Sequence, residues 1–408
     1  MDTSAPLFSE AWIGAVPKDW SVEPLGRWFR ERKTTVSDAD FAPLSVTMQG
    51  IVPQLDNVAK TDNNANRKLV LEGDFAINSR SDRKGSAGVS GLDGSVSVIT
   101  TVLQPRGLNP RFTHHLLRSR PFQEEFYRWG HGIVDDLWST KWSDMKSIKI
   151  PVPPEPQQRA IADYLDRETA QIDAFIAKNE ELVTLLTERR ASSVVELIGK
   201  YQTIPLKRLV SPARPLTYGI LQCGEPVENG VPYIGPSDLP GEGISPTLDS
   251  LRRTAPEIAA AYSRSVLKGG DIVVSIGPAF GRVGLLCDDL KGANLTQDTV
   301  RVAIEPDKIV AQYLVWVLSS RVANDHWDRQ ILGATFRRLN LGTLGDTPIP
   351  CPPLSEQHRI AADITAMVSE MDDAIRVARR SIELGRERRA ALISAAVTGK
   401  IDMAAAHD

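Results

Sequence analysis

Two glycine-rich loops carry side chains suited to binding a polyanion. The first, NSRSDRKGSAGVSG at 78–91, contains Arg80, Arg83, Lys84 and Ser86. Glycine permits close backbone approach, serine hydroxyls and backbone amides suit phosphate oxygens, and arginine can bond both acceptors of a guanine edge. The second loop, SIGPAFGRVG at 275–284, offers Phe280 and Arg282. Either loop could equally be an ordinary solvated surface.

Three further segments add candidate contact residues. GIVDDLWSTKWSDM (132–145) and GATFRRLNLGTL (333–344) supply Trp138, Lys141, Thr335, Arg337 and Arg338. Trp138 and Trp142 could instead be core residues. Gln297, in NLTQDTV, could bond an adenine edge, although such a residue also commonly caps a strand turn.

Motifs for catalysis are missing from the sequence. It has no (N/D/S)PP(Y/F/W) pocket for a flipped base and no GxxxxGK(S/T) phosphate loop. EPDKIV at 305–310 lacks a second acidic motif of a metal nuclease. His114 and His115 are neighbours on an expected helix and so do not share a face. We therefore assign no catalytic residue, no metal ligand and no cofactor to this chain.

An internal repeat determines which elements must position these residues. IPVPPEPQQRAIADYL at 150–165 returns as IPCPPLSEQHRIAADI at 349–364, an offset of 199 residues. The match continues at Gln158 and Gln357, at Asp173 and Asp372, and in the ERRA of 188–191 and 387–390. A repeat this long indicates a duplicated half-protein rather than a solenoid. The predicted layout is module, helix, module, helix, over 1–150, 151–200, 201–350 and 351–408.

Each proline-rich lead-in predicts a long amphipathic helix behind it. Apolar residues follow at alternating steps of four and three, which is a heptad seam. The seam residues are Leu165, Thr169, Ile172, Ile176, Asn179, Val183 and Leu186, then Ile364, Val368, Met371, Ile375, Ala378, Ile382 and Gly385. Roughly 30 residues give a rod of about 45 Å. The two helices are expected to pair with each other, with Asn179 fixing their register.

The order of the chain leaves the orientation of that pair open. We expect an antiparallel coiled coil, which would place the modules at opposite ends, related by a pseudo-two-fold. Each module reads as α+β, with strands at 96–105 and 270–277 and helices at 112–129 and 309–327. The second module carries an insertion around 219–254.

Size and composition limit the remaining possibilities. The 408 residues allow two or three domains, and the net charge of −3 shows no basic excess. No apolar run approaches the ~20 residues of a membrane span, and MDTSAPLFSEAW has no basic start or apolar core of a signal peptide. Cys223, Cys287 and Cys351 are too far apart for a metal motif and too few for a disulfide framework. These features favour a reducing cytoplasm.

The proline-led paired helices, each following a dissimilar domain of about 150 residues, resemble the specificity subunit of type I restriction–modification enzymes. The resemblance implies two target recognition domains, each reading half of a split site in double-stranded DNA. It implies helices that act as a ruler and dock two methyltransferase subunits. It further implies two motor-nuclease subunits, with S-adenosylmethionine, ATP and Mg²⁺ bound only by those partners, in a prokaryotic cytoplasm. The chain itself would catalyse nothing.

Two other readings remain open from the sequence. One is a coiled-coil scaffold whose modules bind proteins, and the other is a standalone DNA-modifying enzyme, which the missing motifs disfavour. Phosphate contacts make affinity fall steeply with salt, so salt dependence separates a DNA reader from a protein scaffold.

Overall fold

The computed structural model describes residues 11–54, 66–132, 138–277, 279–331 and 338–403. The chain divides into two compact units. Unit 1 comprises Met1–Glu180 and Arg380–Asp408, and unit 2 comprises Glu181–Arg379. Both divisions fall inside long helices, so each unit holds one mixed globular part and one stretch of each long helix.

The globular part of unit 1 contains eleven described strands and four short helices. They are β1 Ser21–Pro24, α1 Leu25–Trp28, β2 Phe29–Glu31, β3 Thr35–Val36, β4 Leu44–Thr47, β5 Gly50–Pro53, β6 Arg67–Val70, β7 Phe75–Asn78, β8 Ala87–Val89, β9 Gly94–Val96, β10 Thr100–Pro105, α2 Pro110–Arg118, α3 Arg120–Arg128, α4 Trp142–Met145 and β11 Lys149–Val152. The main sheet is antiparallel, in the order β2-β10-β7-β8.

Alternation along β7 explains how this sheet is covered on both faces. Phe75 and Ile77 point to one side, where they pack in a cluster with Phe112 and Phe126 of α2 and α3. Ala76 points to the other side and joins a smaller cluster that includes residues of β4, β6 and β9. The sheet therefore lies between a helical layer and small β-sheets.

Unit 2 repeats this plan with different lengths. Its elements are β12 Thr203–Pro205, β13 Thr217–Tyr218, β14 Val231–Ile234, β15 Arg253–Thr254, α5 Pro256–Ala261, β16 Ile272–Ser275, β17 Val283–Leu285, β18 Asn294–Leu295, β19 Thr299–Val302, α6 Ala311–Ser319, α7 Arg321–Ile331, α8 Leu341–Gly345 and β20 Pro348–Pro350. The main sheet runs β13-β19-β16-β17. Ile272 and Val274 again face the helices while Val273 faces a second cluster. The α+β fold class is confirmed.

One prediction about the helices of the modules was wrong. The stretch 112–129 is two helices, α2 and α3, and 309–327 is divided between α6 and α7. Ser119 and Ser320 cause the breaks: each hydroxyl bonds the carbonyl three residues earlier and accepts a backbone amide of the next helix. A serine that ends one helix and caps the next interrupts the series of backbone hydrogen bonds that would make them one helix. The predicted strands exist but are shorter, at β10 and β16.

The proline-led helices are longer than predicted. We label Glu155–Ile198 αN and Leu354–Val397 αC. Each has 44 residues, or about 66 Å, rather than about 45 Å. The prediction ended where the obvious seam ended, but buried Val194 and Ile198 continue it in αN. Among the described residues, no helix is long and apolar enough to cross a membrane.

Within each unit the two helices run antiparallel, as expected. In unit 1, Asp173 accepts from Arg389 at 2.8 Å and Glu180 accepts from Arg386 at 2.8 Å. In unit 2, Arg190 pairs with Asp372 at 2.9 Å, while Ile198 shares a core cluster with Ile360. As the residue number increases along αN, the number of its partner on αC decreases, so the pairing is antiparallel in both units.

The predicted seam is buried for most of its length. Leu165, Thr169, Ile172, Ile176, Ile364, Val368, Ile375, Ala378, Ile382 and Gly385 are buried, and Asn179, Val183, Leu186 and Met371 are half-buried. Asn179 does not act as expected, because its amide donates to the Phe175 carbonyl of its own helix at 2.9 Å. That hydrogen bond satisfies the side chain locally and cannot select a register between helices.

Candidate nucleic-acid interface

A buried glutamine in each repeat fixes the start of a helix to the proline lead-in. The Gln158 side chain is 3% exposed; its Oε1 accepts from the Asn109 amide at 2.9 Å and its Nε2 donates to the Pro153 carbonyl at 2.9 Å. Gln357 does the same with the Val310 amide (2.8 Å) and the Pro352 carbonyl (2.9 Å). This role was missed from the sequence, although the recurrence of glutamine at the 199-residue offset signalled it.

The first glycine-rich loop lines an open groove in unit 1. This recognition groove has a volume of about 790 Å³ and lies between the β4–β5 hairpin and residues 78–86. Four predicted residues line it together: Arg80, Arg83, Lys84 and Ser86. The structure thus brings the whole predicted set of this loop to one concave surface.

Backbone hydrogen bonds assemble the groove wall from three distant segments. The Ser79 amide and hydroxyl both donate to the Ile99 carbonyl, at 3.3 and 2.6 Å. The Ser81 amide donates to the Trp138 carbonyl at 2.9 Å, and the Thr140 amide donates to the Ser79 carbonyl at 2.9 Å. The loop is therefore held between the start of β10 and the segment before α4, which defines a rigid frame for its side chains.

Trp138 and Trp142 have different environments in that segment. Trp138 is 38% exposed, so the reading of it as a core residue was wrong. Its indole donates to the Gly132 carbonyl at 3.1 Å, and its position beside the loop keeps the ring at the surface. Trp142 is half-buried and packs on the core of unit 1. Lys141 is exposed at the start of α4, outside the groove lining.

The groove combines positive charge with exposed apolar surface. The Lys84 ammonium lies 5.7 Å from the centre of the Tyr127 ring. Burial raises the pKa of Tyr127 to about 12, so the phenol stays neutral beside that charge. Met48 is 71% exposed and Ile99 is 40% exposed along the same groove. Cations suit phosphates, and apolar side chains suit thymine methyl groups and base faces.

The backbone amides of this loop are less available than the sequence suggested. The Arg83 amide donates to the Arg80 carbonyl at 3.2 Å, and the Ser86 amide donates to the Arg83 carbonyl at 3.1 Å. Gly85, at φ +86°, adopts the left-handed backbone that closes this turn. The arginines and Lys84 are therefore the main candidates for contacts to a ligand.

Unit 2 builds the same frame from equivalent positions. The Ile276 amide donates to the Asp298 carbonyl at 2.8 Å, and the Leu339 amide donates to the Ile276 carbonyl at 2.9 Å. These bonds correspond to those of Ser79 with Ile99 and Thr140. The duplication therefore extends to the geometry that holds each glycine-rich loop.

Different side chains occupy the frame in unit 2. Arg338 contacts Asp298 at 3.1 Å and donates to the Gln297 carbonyl at 2.8 Å, which brings two predicted residues together. Tyr218 and Leu221, missed from the sequence, are 47% and 57% exposed beside Gln297, whose amide bonds the Ile220 carbonyl.

The remaining predicted residues of unit 2 are dispersed. Arg282 is exposed, and its guanidinium donates to the Leu239 carbonyl at 3.3 Å. Phe280 is half-buried and packs against the larger core cluster of the unit. Thr335 and Arg337 lie outside the described residues.

The histidine pair in α2 has a structural environment. His115 Nε2 lies 2.6 Å from Asp166, and His114 accepts from the Val89 amide at 3.3 Å. Burial, together with the charge of Arg118, lowers the pKa of His114 to about 4, so this imidazole is neutral at pH 7. Across the described part of the chain, no group of three or more His, Cys, Asp or Glu side chains could hold a metal ion.

Known proteins share both the sequence pattern and the fold. Residues 225–376 match the family described as type I restriction modification DNA specificity domain. The EcoBI specificity subunit of Escherichia coli is 26% identical over 322 residues, covering 70% of this chain and 67% of that protein. The putative MjaX specificity subunit of Methanocaldococcus jannaschii is 21% identical over 435 residues, covering 97% and 96%.

Solved structures agree in fold. A chain from a study of assembly and conformational transition of the type I R-M system has a TM-score of 0.76 at 17% identity, covering 95% of this chain and 100% of that one. An HsdS subunit from Thermoanaerobacter tengcongensis has a TM-score of 0.57 at 16% identity, covering 95% and 98%. In sequence and fold, this chain is similar to DNA specificity subunits of the type I restriction–modification class. The protein-binding scaffold finds no support among these relatives.

Proposed function

We propose that residues 1–150 and 201–350 are two target recognition domains, each reading one half of a bipartite DNA site. Residues 151–200 and 351–408 then form the spacer that sets the distance between the half-sites and docks the partner subunits. The observation that carries this proposal is the duplicated loop frame, in which Ser79 and Ile276 make equivalent backbone bonds in the two units.

The two units share the backbone frame but place different side chains on it, which supports two domains that recognise different DNA sequences. The frame in unit 1 presents Arg80, Lys84 and Met48, whereas the frame in unit 2 presents Arg338 and Gln297. Arginine favours guanine edges, and glutamine favours adenine edges. At ~1–3 kcal/mol for each wrong base pair, one module discriminates modestly, and tethering two modules makes the second contact nearly intramolecular.

The surfaces of the long helices support docking of other subunits. In unit 1, Phe175 and Leu384 are 49% and 47% exposed, and in unit 2, Leu185 and Val377 are 54% and 62% exposed. Large apolar side chains on a charged helix favour a protein partner. We propose two methyltransferase subunits as the occupants, joined in the complete enzyme by two motor-nuclease subunits.

The chemistry of the complex belongs to those partners in this proposal. S-adenosylmethionine would be bound by the methyltransferase subunits, and ATP and Mg²⁺ by the motor-nuclease subunits, in a prokaryotic cytoplasm where the DNA lies. This chain would bind the DNA, orient the partner subunits on it and set the distance between the half-sites. It would catalyse no step itself.

A footprint of the chain with its methyltransferase partner tests the proposal. Arg80→Ala and Arg338→Ala form a matched pair, since each removes one arginine from an equivalent frame. We expect two protected blocks with an unprotected gap, and each variant should relax base preference in one block only, by about 5- to 150-fold for ~1–3 kcal/mol. One continuous block, no sequence preference, or the same change from both variants would contradict two separate readers.

A further inference from the structure

Four arginines surround a second, smaller pocket in unit 1. This arginine pocket, of about 280 Å³, is lined by Arg118 and Arg120 from the junction of α2 and α3 and by Arg386 and Arg389 from αC. Among the described residues, no carboxylate belongs to its lining. A concave site walled by guanidinium groups favours an anion.

Arg118 leaves the pocket with an uncompensated positive charge. Arg120, Arg386 and Arg389 each pair with a carboxylate outside the lining: Glu124, Glu180 and Asp173, respectively. Arg118 instead donates to the Met48 carbonyl and lies against the His114 ring, and among the described residues its buried Nε has no hydrogen-bond partner. Arg118 and Arg389 line the same pocket, and burial together with the charge of Arg389 lowers the pKa of Arg118.

The equivalent arginine in unit 2 shows which kind of group binds at the position of Arg389. Arg389 corresponds to Arg190 at the 199-residue offset, and the ion pair of Arg389 with Asp173 recurs as Arg190 with Asp372. Arg190, however, also directs both terminal nitrogens at the Glu242 carboxylate.

Unit 2 delivers this additional anion from a strained turn. Glu242, at φ +51°, is the one described non-glycine residue with a left-handed backbone, a conformation disfavoured for a residue with a Cβ. In unit 1 the corresponding Arg389 pairs with Asp173 and shares the pocket with Arg118. Among the described residues, unit 2 alone therefore supplies a second carboxylate to this arginine.

We infer that the arginine pocket binds one phosphate of the DNA backbone, next to the half-site read by unit 1. This inference rests on the proposed function. Arg118 lines the pocket and bonds the carbonyl of Met48, which lines the recognition groove. Gln123 lines the pocket and lies 3.3 Å from the point where a Cβ on Gly85 would stand. The pocket therefore adjoins the groove, and this continuity favours DNA over an acidic protein segment.

The test removes the two arginines that αC contributes. The full chain with its methyltransferase partner is titrated with duplex carrying the split site, over a range of salt concentrations. Arg386→Gln with Arg389→Gln should make the negative slope of log K against log salt shallower by about 0.9, the value for one phosphate, and leave base preference unchanged. Arg380→Gln with Arg388→Gln removes the same charge from αC outside the pocket and should leave the slope unchanged.

A conservative variant separates contact from folding. Arg386→Lys with Arg389→Lys retains the charge and should restore most of the slope. An unchanged slope in the glutamine variant, or an equal fall in the control variant, would overturn the inference. So would loss of methyltransferase binding at an unchanged slope, since that outcome assigns the pocket to an acidic protein segment. Absence of split-site preference in the wild-type complex would instead refute the proposed function.

Discussion

The paired glutamines allow a prediction in which each half of the chain is the control for the other. Gln158→Leu keeps the approximate size of the side chain but removes both bonds, to the Asn109 amide and the Pro153 carbonyl. One lost hydrogen bond is worth roughly 1 kcal/mol, and a buried carbonyl without a donor costs about 1 kcal/mol more. The start of α2 should therefore open more easily by about 2 kcal/mol, or roughly 30-fold.

Hydrogen exchange measured by peptide mass spectrometry checks this prediction. Peptides covering 106–118 should exchange about 30-fold faster in Gln158→Leu, while peptides covering 307–319 should keep the wild-type rate. Gln357→Leu should show the reverse, because its bonds go to Val310 and Pro352. If either variant accelerated both regions equally, or neither region, the glutamines would not be local anchors.

Two further predictions concern the spacer and pH. Deleting one heptad from both αN and αC removes about 10 Å of helix. In a methylation assay on sites with different gaps, the permitted gap between half-sites should change by about 3 base pairs, or binding should be abolished. An unchanged gap would contradict the proposal that the helices set the distance between half-sites. The pKa of His114 is about 4 in the folded chain and 6.5 ordinarily, so the unfolded chain binds more protons between these values. Stability measured by urea unfolding should be lost as pH falls from 6.5 towards 4, and His114→Gln should reduce that loss; an identical pH profile in the variant would refute it.

Local patterns were sufficient where the physical cause is local. Proline restricts the backbone around it, so the two lead-ins marked the starts of αN and αC. Heptad spacing places apolar residues on one face, so buried seam positions such as Ile172 and Ile364 could be predicted. The same reasoning failed at Ser119, because a serine in a helical pattern ends the helix only when its hydroxyl finds capping partners.

The loop frame could be predicted only in part. Arg80, Arg83, Lys84 and Ser86 are close in sequence, so one glycine-rich stretch revealed them as a set. Their support by Trp138, and the meeting of Gln297 with Arg338, join segments some 40 to 60 residues apart, and no local pattern records such a contact.

The sequence by itself determined that this protein is doubled, that proline-led helices divide it, and that its modules are α+β. Periodicity and repetition reside in neighbouring residues, so they are visible without coordinates. Only the tertiary structure decided which half supplies a second carboxylate to the duplicated arginine, from Glu242 to Arg190, and which half places Arg389 in a pocket with Arg118. That difference depends on how distant segments pack, because a charge is compensated or exposed by its neighbours in space rather than by its neighbours in sequence.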